Sequence, residues 1–135
     1  MILVDSNILL DIITDDPLWY GWSLDQLDSA TLLGPLYVND VIYAEISVRY
    51  DRIEDLDDML AETGVSLMPI PRAALFLAGK VFDQYRKSGG TRSAVLPDFF
   101  IGAHAAASGL TLLTRDTSRF RTYFKSVTLI SPTAE

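Results

Sequence analysis

The sequence predicts an α/β protein, a three-layer α/β/α sandwich around a five-stranded parallel sheet. Three observations predict it. Five short apolar runs recur along the chain, at Ile2–Val4, Leu36–Val38, 66–70, 110–114 and 127–130. Segments with helical spacing separate them, so strands alternate with helices, which calls for right-handed crossovers and a parallel sheet covered on both faces. The first run is apolar throughout, as a strand buried on both faces must be.

Each element has a local reason. A helix is expected at Ser6–Ile13, stopped by Asp15-Asp16-Pro17, because the residue before a proline disfavours helical backbone. Leu24, Leu27, Thr31 and Leu32 have helical spacing over 23–33, and Gly34-Pro35 ends that stretch. Asn39 or Asp40 caps a helix to about residue 50. The next helix, 53–62, sets Ile53, Leu56, Met59 and Leu60 on one face and Glu54, Asp55, Asp57 and Asp58 on the other. Pro71 opens a long helix to about Lys87, as proline suits a first turn. A loop containing Gly89-Gly90 follows over 88–96. The helix 97–108 is closed by Gly109, and a short helix is expected at 118–124. No repeat or linker interrupts the 135 residues, so residues 1–135 read as one domain.

Composition narrows the chemistry. There is no cysteine and a single histidine, His104, which excludes a disulfide framework, a thiolate metal site, a cysteine nucleophile and a histidine-rich site. No apolar stretch approaches the ~18 residues of a membrane span, and the first residues lack a basic region and a cleavage site, so a cytoplasmic protein without membrane contact is expected. The net charge of −7 is uneven: residues 1–64 set 14 acids against Arg49 and Arg52, and residues 65–135 set nine bases against Asp83, Asp98, Asp116 and Glu135. The acidic total opposes nonspecific nucleic-acid binding. The asymmetry leaves room for a local basic track and for an acidic face that takes a basic partner.

Four carboxylates carry the functional signal. Asp5 follows the first strand and Asp116 follows the fourth, and sites in parallel sheets gather at the carboxyl ends of strands. Either acid alone is equally well a helix cap or turn residue. Glu45, in DVIYAEISVRY, projects between Val41, Ile42 and Val48, toward the apolar side of its helix. A lone carboxylate there is costly unless it reaches water or an arginine. Asp98, in LPDFFIGAHAAASG, is the one acid of an almost wholly apolar helix, and also fits as a first-turn acid favoured by the helix dipole. Gly102, one turn on, permits close approach of a ligand or tight helix packing. Two carboxylates ~4 Å apart repel by about 4 kcal/mol at an effective dielectric near 20. Should these acids converge, they must take up protons or a cation. Oxygen donors without His or Cys suit Mg²⁺ or Mn²⁺, and the matching chemistry is metal-assisted attack of water on a phosphodiester.

The stretches VDSNILLDI, VIYAEIS, LPDFFIGAHAAASG and LTLLTRD, in that order, resemble the PIN-domain ribonucleases, specifically the VapC-type toxins of toxin–antitoxin pairs. The resemblance spans essentially the whole chain. It implies a PIN-like α/β/α fold, an acidic pocket and Mg²⁺- or Mn²⁺-dependent cleavage of RNA. It assigns catalysis to Asp5, Glu45, Asp98 and Asp116 and the metal to Asp5, Asp98 and Asp116, with Glu45 as a ligand or orienting the attacking water. It matches Asn7 and Thr114 to the supporting polar positions, and makes Asp11 a surface or supporting residue. It further implies a cognate antitoxin protein and a homodimer. RNA phosphates would be met by Arg92 and Arg115, from a basic set that includes Arg86, Lys87, Arg119, Arg121 and Lys125. His104 lies about 120° around its helix from Asp98 and reads as a packed histidine. Trp19, Tyr20 and Trp22 read as core or a partner interface. The alternatives are a noncatalytic PIN-like binding module and a housekeeping PIN nuclease. A receiver module is disfavoured because Pro71, not Asp, follows the third strand, and an Asp-x-Asp hydrolase because Asn7 stands at the second Asp position.

Overall fold

The computed structural model describes residues 1–92 and 95–132. Five parallel strands, β1 (Ile2–Val4), β2 (Leu36–Val38), β3 (Val65–Leu67), β4 (Thr111–Leu113) and β5 (Leu129–Ile130), form one sheet in the order β3-β2-β1-β4-β5. The helices are α1 (Ser6–Ile13), α2 (Tyr20–Thr31), α3 (Asp40–Ser47), α4 (Ile53–Thr63), α5 (Arg72–Lys87), α6 (Leu96–Ser108) and α7 (Ser118–Tyr123). This is the expected α/β/α architecture with its five strands.

β1 is the centre of the sheet. Leu3 pairs with Tyr37 on one side and Leu112 on the other. From β1 the chain builds outward through β2 and β3, then returns to lay β4 on β1's free edge. That reversal leaves a crevice at the carboxyl ends of β1 and β4, where open α/β sheets bind ligands. Leu3, Val4, Ile8, Ile42, Phe99 and Leu112 are fully buried around it. Phe99 sits among Phe82, Tyr85, Tyr123 and Phe124, with ring centroids 5.3–6.1 Å away. Gly102 lies flush against the Phe124 ring, so its small size serves helix packing.

Several expectations need correction. The second helix begins at Tyr20, not Ser23, because the Asp16 carboxylate accepts the Leu18 and Trp19 N–H groups and restarts the helix at once. Its Leu32 is exposed rather than packed. α3 ends at Ser47, short of Tyr50, since Arg49 and Tyr50 bond back to Ile46 and Ser47 in tightened turns. That turn leaves Val48 in solvent, so it does not flank Glu45. Ile53 is likewise exposed although Leu56 and Leu60 are buried. The third strand is Val65–Leu67, shorter than 66–70, because its partner β2 offers only three residues. The expected loop over 88–96 includes residues 93 and 94, which lie outside the described residues.

Candidate active site

The site begins with a strand that runs straight into a helix. Asp5 bonds through its N–H to the Leu113 carbonyl at 2.9 Å, continuing the β1–β4 ladder by one residue. Its carboxylate then caps α1, accepting the Ser6 N–H at 2.7 Å. The cap reading of Asp5 therefore holds. The side chain is buried, and its second oxygen receives the Thr114 hydroxyl at 2.7 Å, from the end of β4. Asn7 Nδ2 lies 3.4 Å from that same oxygen and 3.3 Å from Thr114 Oγ1. Its Oδ1 accepts the Arg115 N–H at 3.2 Å. Asn7 and Thr114 thus lace α1 to the turn that carries Asp116, whose N–H reaches Thr114 Oγ1 at 3.2 Å.

Glu45 arrives from α3, and Ser6 Oγ donates to its Oε1 at 2.9 Å. Asp98 arrives from the first turn of α6, half-buried, and Arg119 Nη1 donates to its Oδ2 at 2.8 Å. Asp116 is exposed at the rim.

Burial pushes the Asp5 carboxyl up to about 7, and the Asp98 and Glu45 charges push the same way against the Thr114 and Ser6 hydrogen bonds. Glu45 is raised by burial and by Asp98, against the Ser6 bond. Asp98 is raised by burial, held back by Arg119 and pushed up again by Asp116. Acids from four distant segments therefore feel one another's charge.

They do not close into a cage. Among the described residues, no three His or acidic side chains lie close enough together to hold an ion by themselves. The expected three-ligand set of Asp5, Asp98 and Asp116 is accordingly looser than a shared coordination sphere. A Mg²⁺ ion needs less than a cage: it keeps several waters and takes one or two carboxylates plus phosphate oxygens. The donors are all oxygens, and a central carboxyl is driven toward neutrality by burial first and by the neighbouring acids Asp98 and Glu45 second. Such residues fit a hard divalent cation.

One of the two arginines expected to meet RNA phosphates is paired inside the protein. Arg115 donates through Nε and Nη2 to both oxygens of Asp11, each at 2.8 Å, and lies 5.1 Å from the Trp19 ring centroid. Asp11 is buried rather than on the surface, and also receives the Ser23 hydroxyl at 2.7 Å. This ion pair pins α1 and α2 to the segment after β4. The guanidinium of Arg115 is thus engaged within the protein, while Arg92 is exposed. The roles of Ser6, Asp11 and Arg119 escape the sequence reading. Ser6 and Asp11 lie inside a matched motif, but their partners are set by tertiary packing. His104 is fully buried against Asn39, as its packed reading expects.

Residues 2–125 match the family described as the PIN domain, and the chain belongs to that family. No curated protein matches the chain. Three solved structures are similar in fold. VapBC2 from Rickettsia felis, bound to a DNA fragment from its promoter, superposes with a TM-score of 0.70 at 19% identity, covering 98% of this chain and 100% of that one. FitAcB from Neisseria gonorrhoeae gives 0.66 at 20%, covering 96% of each chain. A toxin–antitoxin complex from Klebsiella pneumoniae gives 0.60 at 19%, covering 89% and 90%.

Proposed function

We propose that this chain is a Mg²⁺- or Mn²⁺-dependent endoribonuclease that acts as the VapC-type toxin of a toxin–antitoxin pair, its residues 1–135 forming one nuclease domain. The observation that supports this reading is the charge coupling of Asp5 with Glu45 and Asp98, and of Asp98 with Asp116, with Asp5 driven up to about 7, chiefly by its burial. Asp5 and Asp98 would hold the ion, with Glu45 and Asp116 acting through water. A bound ion supplies charge neutralisation at the scissile phosphate and lowers the pKa of water.

The chain's own groups do the rest. Thr114 and Asn7 orient Asp5 by hydrogen bonds to its outer oxygen. Ser6 holds Glu45 Oε1, and the raised affinity of that carboxylate for protons suits it to take one from attacking water. The water oxygen bonds to phosphorus, the P–O3′ bond breaks, and the leaving oxygen takes a proton. The products carry a 5′-phosphate and a 3′-hydroxyl. Arg92, Arg121 and Lys125 are exposed, with no ion-pair partner among the described residues, and would meet RNA phosphates. Arg115 joins them only by leaving Asp11.

A groove of about 310 Å³ lined by Tyr43, Tyr50, Ile53 and Leu56 continues into one of about 560 Å³ along α4 and the edge strand β3. Its apolar floor and acidic α4 rim support docking of a basic, amphipathic antitoxin segment. Exposed Leu75 and Phe76 on α5 support pairing with a second copy. Among the described residues, no helix is long and apolar enough to cross a membrane.

The decisive assay incubates the purified chain with total RNA in Mg²⁺ or Mn²⁺ and in chelator. Cleavage is expected only with metal and is lost in Asp5→Asn and Asp98→Asn. A 2′,3′-cyclic phosphate end would overturn the choice of water as nucleophile. The Arg119–Asp98 ion pair favours one rival, a noncatalytic binding module, because a paired Asp98 is less ready to bind metal. RNA left intact at all metal concentrations would establish that rival.

A further inference from the structure

Two helices bring acids to the pocket, α3 with Glu45 and α6 with Asp98, and a buried polar pair joins them elsewhere. Asn39, the N-cap of α3, accepts the Ile42 N–H on its Oδ1 at 2.9 Å. Its Nδ2 lies 3.1 Å from Nδ1 of His104 on α6, and both side chains are fully buried. The cap assigns the atoms. Asn39 Oδ1 is used by α3, so Nδ2 is the donor and His104 Nδ1 the acceptor. The imidazole proton then sits on Nε2, which is buried without a partner among the described residues. A hydroxyl cap at 39 opposite an apolar residue at 104 would hold the first turn of α3 without burying an unpaired imidazole N–H. The polar pair therefore costs stability where it stands.

Its register accounts for that cost. Glu45 lies six residues after Asn39, and Asp98 six residues before His104. α3 and α6 touch, and Glu45 feels the Asp98 charge. Two helices that meet at 39/104 and approach again at 45/98 run antiparallel, with the two junctions equally spaced, about 9 Å along each axis. Apolar contacts tolerate sliding and rotation, whereas a single buried hydrogen bond has one register.

We infer that the Asn39–His104 bond is a positioning pair that fixes how far apart Glu45 and Asp98 stand across the metal pocket. The inference rests on the nuclease reading and goes beyond it, because neither residue touches substrate or ion.

The test titrates the full chain with Mn²⁺ alone by calorimetry, then measures RNA cleavage against Mn²⁺ concentration. Asn39→Ser keeps a capping oxygen but cannot reach His104. His104→Leu removes the acceptor at similar volume, and His104→Asn restores an acceptor in the place of Nδ1. Asn39→Ser and His104→Leu are each expected to weaken Mn²⁺ binding about tenfold, the lower end for groups that orient metal ligands. Cleavage at saturating Mn²⁺ is expected to fall less than affinity does. The double variant should be no weaker than either single variant, and His104→Asn should recover most of the affinity. Unchanged Mn²⁺ binding in Asn39→Ser and His104→Leu overturns the inference alone, as does a His104→Asn protein as weak as His104→Leu. A wild-type chain that takes up no Mn²⁺ overturns the nuclease reading and this inference with it. Where His104→Leu does not fold, the Asn39→Ser protein decides.

Discussion

Two regions of this molecule are rich in acid. On α4, Glu54, Asp55, Asp57 and Asp58 stand in water, and the Arg52–Glu54 pair there leaves both side chains about two-thirds exposed (67% and 64%). At the sheet's carboxyl edge the four acids come from four separate segments, and Asp5 at their centre is 4% exposed. The α4 group is denser in sequence yet has room to hydrate each charge. The pocket is sparse in sequence, and it takes Asp5 fully and Glu45 and Asp98 partly out of water. Chemical potential resides in the second arrangement, because desolvated, mutually repelling carboxylates have something to gain from a cation.

The largest test of that contrast is catalytic. Asp5→Asn or Asp98→Asn should cut metal-dependent RNA cleavage by about a thousandfold, equivalent to about 4 kcal/mol of barrier. Asp55→Asn and Asp58→Asn should leave initial rates where they were.

A second test uses pH. In chelator, folded Asp5 holds its proton to about 7 while the unfolded chain releases it near 3.8, the ordinary value for an aspartate. The native state binds more protons in between, so stability falls as pH rises from about 4 to about 7 and is level above. The drop is roughly 2–4 kcal/mol. Urea unfolding at a series of pH values measures it, and Asp5→Asn should flatten that slope. Mn²⁺ competes with the same proton, so its affinity should rise with pH up to about 7 and its binding should release protons.

The ion pairs offer a third comparison. Asp11→Ala strands the Arg115 guanidinium, whose side chain is 29% exposed, and should cost about 2–3 kcal/mol in urea unfolding. Glu54→Gln should cost at most about 1 kcal/mol, as exposed pairs do. An effect between those two is expected from Gly102→Ala, whose new methyl group would press on the Phe124 ring. About 1–2 kcal/mol, read as a lowered Tm, is the expected penalty for overpacking.

Much of this architecture was legible in the residues. Ile2–Val4 and Leu36–Val38 declare themselves because apolar runs between breakers have few other uses. Gly109 ends α6 with a φ of 66° that glycine adopts freely. Asp5 and Asp98 could be marked as acids in places that water does not reach easily. What stayed hidden was pairing across distance. Arg115 looks like a free cation in TLLTRD, and only the fold reveals Asp11 opposite it. Arg119 and Ser6 gained partners in the same way. Val48 and Ile53 misled because helical spacing gives the direction of a side chain but not whether a neighbour waits there.

The placement of β4 beside β1 has a consequence for biosynthesis. Thr114 must reach back across 109 positions to grip Asp5, so the pocket cannot be assembled until residue 114 has left the ribosome. A nascent chain that ends before the fourth strand has its first acid, but nothing to seat it. On the proposed nuclease reading, such a chain is inactive until its fourth strand has been made.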